Sequence, residues 1–255
     1  MEKHFRILLG FLFSICILIL AIFNFVPAIP QNLDYHHFAD ERQMIGIPNF
    51  WNVLSNLPFV CIGMYGFWQW QQQIAKTEKQ EKTLMAMYLL VFFGIFLTGI
   101  GSAYYHWQPD NMRLIWDRLP MTLVFMPLLA VIIAEKIHLQ AGEYAVLPLT
   151  FLGIFSVLYW AWTETQGRGD LRLYAVVQFY PMLAIPLIVW LFPKKPAFTK
   201  AFTWVAIFYM LAKITEYADK FILEKTILLS GHSLKHLFAG LASYYIVQAF
   251  VEQNK

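Results

Sequence analysis

Near its C-terminus the chain reads Gly231-His232-Ser233-Leu234-Lys235-His236, with two histidines four residues apart. On a helix that spacing places both side chains on one face, so the two imidazoles aim at one point. A metal ion needs that geometry, and zinc in catalytic sites commonly takes three protein ligands and keeps a fourth position open. A third histidine, His106, closes the run Gly101-Ser102-Ala103-Tyr104-Tyr105-His106, where Ser102 shares its helix face. A carboxylate follows in Trp116-Asp117-Arg118-Leu119-Pro120. A single histidine in an apolar stretch is more often a hydrogen-bonded packing residue. Three of them with a carboxylate at one depth favour a metal centre, and a three-histidine set suits divalent ions besides zinc.

These residues can meet only if the elements carrying them bring their ends together. The chain of 255 residues is 59% hydrophobic and 14% charged, against roughly 25% charged in soluble domains. Aromatic residues make up 18%, which suits anchoring at two membrane interfaces. These figures exclude disorder, a coiled coil and a disulfide scaffold. They predict an all-α, polytopic membrane bundle, because backbone polar groups in lipid must be satisfied within each segment. Stretches of about 20 apolar residues, enough to span a bilayer, fall at 5–26, 52–70, 84–106, 114–134, 143–163, 172–192, 199–218 and 231–250. With alternating direction, the third span ends on the membrane face where the fourth and eighth begin. Ser102, His106, Asp117, His232 and His236 therefore gather near that face. Ionisable groups within spans are costly and mark function by default.

Basic residues set the orientation. A cytoplasmic N-terminus collects Lys3, Arg6, Lys76, Lys79, Lys82, Lys136, Lys194, Lys195, Lys200 and Lys255 on its side, against Arg42, Arg113, Arg168, Arg172, Lys220 and Lys225 on the other. The positive-inside rule then puts both termini in the cytoplasm and the histidine cluster toward the outer, periplasmic or lumenal, face. Lys3 and Arg6 before an apolar run also fit a signal peptide, with Val26-Pro27-Ala28 as a cleavage context. A run of this length favours a retained helix, since signal peptides carry only about 7–15 apolar residues.

A net charge of +3 gives no nucleic-acid surface, and nothing in the sequence points to a protein partner. Cys16 and Cys61 lie in apolar runs, which disfavours a disulfide or a thiolate site. His36 and His37 read as a solvated loop, His138 falls on the cytoplasmic side, and His4 belongs to the N-terminal tail. Lys213, Glu216 and Asp219 cluster near the end of the seventh span, where Lys213 and Glu216 neutralise one another. A transporter would favour broken helices with a midplane site, and a retinal protein built on Lys213 leaves the three histidines unexplained.

The order Ser-x3-His, an Asp eleven residues after that His, and a late His-x3-His resembles the alkaline ceramidase family. That family belongs to a superfamily of membrane-embedded zinc hydrolases that also includes adiponectin-receptor-like proteins. Asn49-Phe50-Trp51-Asn52-Val53-Leu54-Ser55-Asn56-Leu57, Asp117-Arg118-Leu119-Pro120-Met121 and Gly231-His232 carry the likeness further, over roughly residues 34–250. It implies a seven-helix core within a hydrolase domain at 31–255, preceded by one extra transmembrane helix at 1–30.

The resemblance also implies a zinc-dependent amidase acting on a membrane lipid, a ceramide or another N-acyl lipid. His106, His232 and His236 would bind Zn²⁺, and zinc can lower the pKa of water to about 7. Asp117 would act as general base and later protonate the leaving amine, while Ser102 would donate to the oxyanion. A receptor-type protein would share the zinc site and differ by releasing no fatty acid. Relatives of the animal enzymes also carry a Ca²⁺ site built from acidic residues before and at the start of the first core helix. Asp34 fits that pattern, whereas Asn49 stands where an acid is expected, so calcium dependence does not carry over with the rest.

Overall fold

The computed structural model describes residues 2–78 and 81–254, the side chains of 2–5, 7 and 8 excepted. Lys79 and Lys255, which enter the charge count above, lie outside the described residues, as do the side chains of Lys3 and His4. The chain is helical, with no strand among the described residues. In order come α1 (Glu2–Phe25), a 3₁₀ turn (Leu33–His36), α2 (Phe50–Leu54), α3 (Leu57–Ile74), α4 (Lys82–Trp107), α5 (Asn111–Lys136), α6 (Leu139–Thr165), α7 (Arg172–Leu191), α8 (Pro196–Tyr217), α9 (Asp219–Thr226) and α10 (Gly231–Gln253).

Five of these, α4 to α8, are long and apolar enough to cross a membrane, and α1 adds an apolar stretch over Leu9–Phe25. The chain is a membrane protein. The eight expected spans correspond to eight long helices, but α3 and α10 are less apolar than the five. Four glutamines, at 69 and 71–73, sit in α3, and α10 opens with His232, Lys235 and His236. The expected span at 52–70 also starts late. Pro58 has no N–H to bond the Leu54 carbonyl, so the helix breaks there; α2 ends at Leu54 and α3 begins at Leu57.

The chain forms two compact units, each drawn from three stretches. The first comprises Met1–Gln31, Trp70–Val91 and Thr122–Lys194. Here α1 packs on α6 and α7. The Arg172 guanidinium donates to the carbonyls of Phe23 and Val26 at 3.3 and 2.7 Å and is itself held by Asp170. Leu171 N–H donates to the Ile29 carbonyl at 2.9 Å, and Gln31 N–H to Glu164 at 2.8 Å. Trp160, Ile132 and Val189 are fully buried in this unit.

The second unit comprises Asn32–Gln69, Phe92–Met121 and Lys195–Lys255. Its main contact is α8 against α10, where the rings of Trp204, Phe208 and Tyr245 stack with centroids 5.7–5.9 Å apart. Close helix approach depends on glycine at two places. At Gly101 any Cβ would collide with the Trp116 carbonyl, and at Gly231 with the Thr215 carbonyl. The first brings α4 and α5 together beside Ser102, and the second seats the start of α10 against the end of α8.

Candidate metal centre

Every residue singled out for chemistry in the sequence lies in the second unit. Asp110 turns the chain from α4 into α5; its carboxylate accepts the Arg113 N–H at 2.7 Å, as an N-cap does. Ser230 caps α10 by accepting the Ser233 N–H at 3.1 Å. Asp219, opening α9, accepts the backbone N–H of His232 at 2.7 Å, where the positive end of a helix favours an acid.

These turns bring His106, from the last turn of α4, to His232 and His236 on the first turns of α10. Ligand-capable atoms of all three lie within 4.8 Å of one another. The three residues are buried, 1%, 6% and 3% exposed in turn. Nε2 of His106 faces Nε2 of His232 at 3.3 Å. Two nitrogens bound tetrahedrally to one zinc at about 2.05 Å stand about 3.3 Å apart, so the residues present fit a zinc-sized ion. Ser55 Oγ lies 2.8 Å from Nδ1 of His236, which leaves Nε2 of that ring for a metal. Nδ1 of His106 is buried with no hydrogen-bond partner among the described residues.

Asp117 and Ser102 meet beside the triad. Ser102, 3% exposed, donates its hydroxyl to the half-buried Asp117 carboxylate. The sequence assigns this hydroxyl to an oxyanion, and in the structure it stands next to the Asp117 carboxylate. Lys213 and Glu216 do pair, at 2.7 Å, but a third partner was not foreseen: Lys235 also donates to Glu216, at 2.9 Å.

A strap over residues 33–42 covers the triad. The Phe38 ring packs on His106 and His232 with centroids 4.7 and 4.6 Å away. His36, read as solvated, is half-buried and lies 3.0 Å from the Tyr105 hydroxyl and 2.9 Å from Asn111 Oδ1. His37 is exposed, beside Glu41. Ala39 N–H donates to Asp219 at 3.1 Å. Asp40 is held by Arg42 at 2.7 Å, and Arg42 also donates to the carbonyls of Ile227 and Leu228 at 3.0 and 2.8 Å. Burial pushes the Asp40 carboxyl up, but the Arg42 guanidinium outweighs that and holds it below the usual carboxylate value. Asn49, at the position where an acid would serve calcium, instead donates to the His106 carbonyl at 2.9 Å. His138 precedes α6 in the other unit.

A family model described as Ceramidase matches residues 44–252, most of the chain and all three histidines. The chain belongs to the ceramidase family. Membership makes it a membrane hydrolase of the ceramidase type, with a lipid as its substrate class. No curated protein matches it. Within the ceramidase match, Ser55 and Asn52 were visible only as part of the run opening the second span, without roles. Asn52 accepts the Ser233 hydroxyl at 2.9 Å and donates to the Asp40 carbonyl at 2.9 Å, tying strap and α10 together. Phe38 had no sequence signal at all, since its position carries neither charge nor spacing.

Proposed function

We propose that this chain is an integral-membrane, zinc-dependent amidohydrolase that cleaves the N-acyl amide bond of a ceramide-like lipid, releasing a fatty acid and a sphingoid-type amine. The observation that carries this reading is the buried convergence of His106, His232 and His236 next to a carboxylate that can exchange protons. When bound, zinc supplies the Lewis acidity that lets water attack at neutral pH. Asp117 takes the proton of the attacking water at its carboxylate and returns it to the nitrogen of the leaving amine. Ser102 fixes the orientation of that carboxylate. Phe38 and the buried rings around it keep bulk water from the triad, which strengthens every charge interaction there.

The acyl chain gains little by moving from lipid to protein, so recognition rests on the amide and head group while the helices admit the tail. The charge count supports cytoplasmic termini and a site toward the outer face. Residues 31–255 form the hydrolase domain, and residues 1–30 an appended helix that stays on the mature protein. Arg172 and Leu171 hold Phe23, Val26 and Ile29 on both sides of the signal-type cleavage context, which supports retention. The intact mass of protein purified from membranes should therefore include α1, and a species starting near Ala28 would refute this.

The deciding experiment incubates purified, zinc-loaded protein with ceramide, phytoceramide and N-acyl amino lipids and follows fatty acid release. Release that stops on chelation and returns with zinc is expected. No release from any N-acyl lipid would sink the hydrolase reading.

A further inference from the structure

Two lysines share one carboxylate beside the triad. Lys213 Nζ donates to Glu216 Oε2 at 2.7 Å and Lys235 Nζ to Oε1 at 2.9 Å, so the cluster carries one positive charge in excess. Glu216 is already neutralised by Lys213, and its pairing alone gives no reason for a second cation. Lys235 follows His232 by three residues, so the two side chains are neighbours on the surface of α10. Its Nζ is 3.4 Å from Nε2 of His232, the atom that also faces Nε2 of His106 at 3.3 Å. The ammonium therefore stands beside the His232 member of the triad, and it interacts electrostatically with Asp117. The expected oxyanion donor, Ser102, has a single hydroxyl proton and also neighbours Asp117, so a second donor would add to what it supplies.

We infer that Lys235 is a catalytic residue whose ammonium donates to the oxyanion formed on the substrate carbonyl and then binds the carboxylate of the released fatty acid. The inference rests on the N-acyl lipid hydrolase reading above. In the reaction, the oxygen of one water joins the carbonyl carbon and the C–N bond breaks. A water proton travels by way of Asp117 to the amine nitrogen, and Lys235 keeps all of its own protons. Its contribution is a charge-assisted hydrogen bond, shorter and stronger than a neutral one, placed where negative charge develops.

The test uses full-length protein with Lys235→Met and Lys235→Arg. Lys213 still pairs with Glu216 in both, so neither variant strands that carboxylate. Lys235→Met should keep its bound metal and lose about 10²–10³ in kcat with little change in KM, the loss typical of one oxyanion donor. Lys235→Arg should recover to within about tenfold of wild type, because it restores the cation. A second readout compares binding of a long-chain fatty acid with that of the corresponding alcohol. Wild type should prefer the acid by about tenfold or more, and Lys235→Met should bind the two alike. If Lys235→Met did not fold, Lys235→Gln carries the same comparison. Wild-type kcat in the neutral variant, or an unchanged preference for the acid, would reduce Lys235 to a partner of Glu216. Failure of wild type to release fatty acid would overturn the hydrolase reading instead. The acid-against-alcohol comparison needs no turnover and still decides Lys235.

Discussion

Ser55 lies 2.8 Å from Nδ1 of His236 and so selects which ring nitrogen is presented to a metal. Partners of this kind typically change metal affinity by 10–100-fold. Ser55→Ala should weaken zinc by about that factor in a chelator competition, while His236→Ala should abolish stoichiometric binding. Equal affinity in Ser55→Ala and wild type would mean that the bond does not orient the ligand. Asp117→Asn should separate binding from chemistry. Metal content should stay at the wild-type level while kcat falls by about 10²–10⁴, the range for a lost general base; normal turnover would make Asp117 structural. The three histidines and Asp117 were legible because imidazoles and carboxylates are rare in apolar runs and their spacing follows the helical repeat. Ser55 and Phe38 were not. A neutral hydroxyl has no signature of its own, and one phenylalanine among twenty-three cannot be told from packing without knowing what it packs against.

The strap and the helix ends around it carry the next prediction. Arg42 holds Asp40 below the usual carboxylate value of about 3.9. A group with a depressed folded-state pKa contributes stability that is present above its unfolded value and is lost as pH falls through the folded one. The thermal midpoint of wild type should therefore exceed that of Asp40→Asn above about pH 4, and the gap should close on further acidification. A gap independent of pH across that range would remove Asp40 as its source. The long helices were readable from apolar length alone, and their boundaries in the structure extend most of those spans by a few residues. What length could not show was the short α2, set off by Pro58, and α9, which fills the stretch read as a plain connection between the seventh and eighth spans. Both are too short for a hydropathy window, and both bear directly on the triad.

At the scale of the molecule, the sequence revealed a helical membrane protein with its chemistry at one set of helix ends, but not two compact units each assembled from three separated stretches. Linear order hides such interleaving, because neither unit is continuous and no linker marks a boundary. A ligand that binds only the folded state stabilises it by about 2.7 kcal/mol at a hundredfold excess over its dissociation constant. Adding zinc to chelated protein should therefore raise the thermal midpoint, and a variant lacking His106, His232 and His236 should show no rise. An equal rise in that variant would locate the binding elsewhere. Asp219 has a consequence of its own for motion at this scale. One carboxylate receives the amide protons of both Ala39 and His232, so lifting the cover and loosening the first turn of α10 are one event. Solvent deuterium should reach those two amides at a common rate, and a captive ion would depart on the same clock.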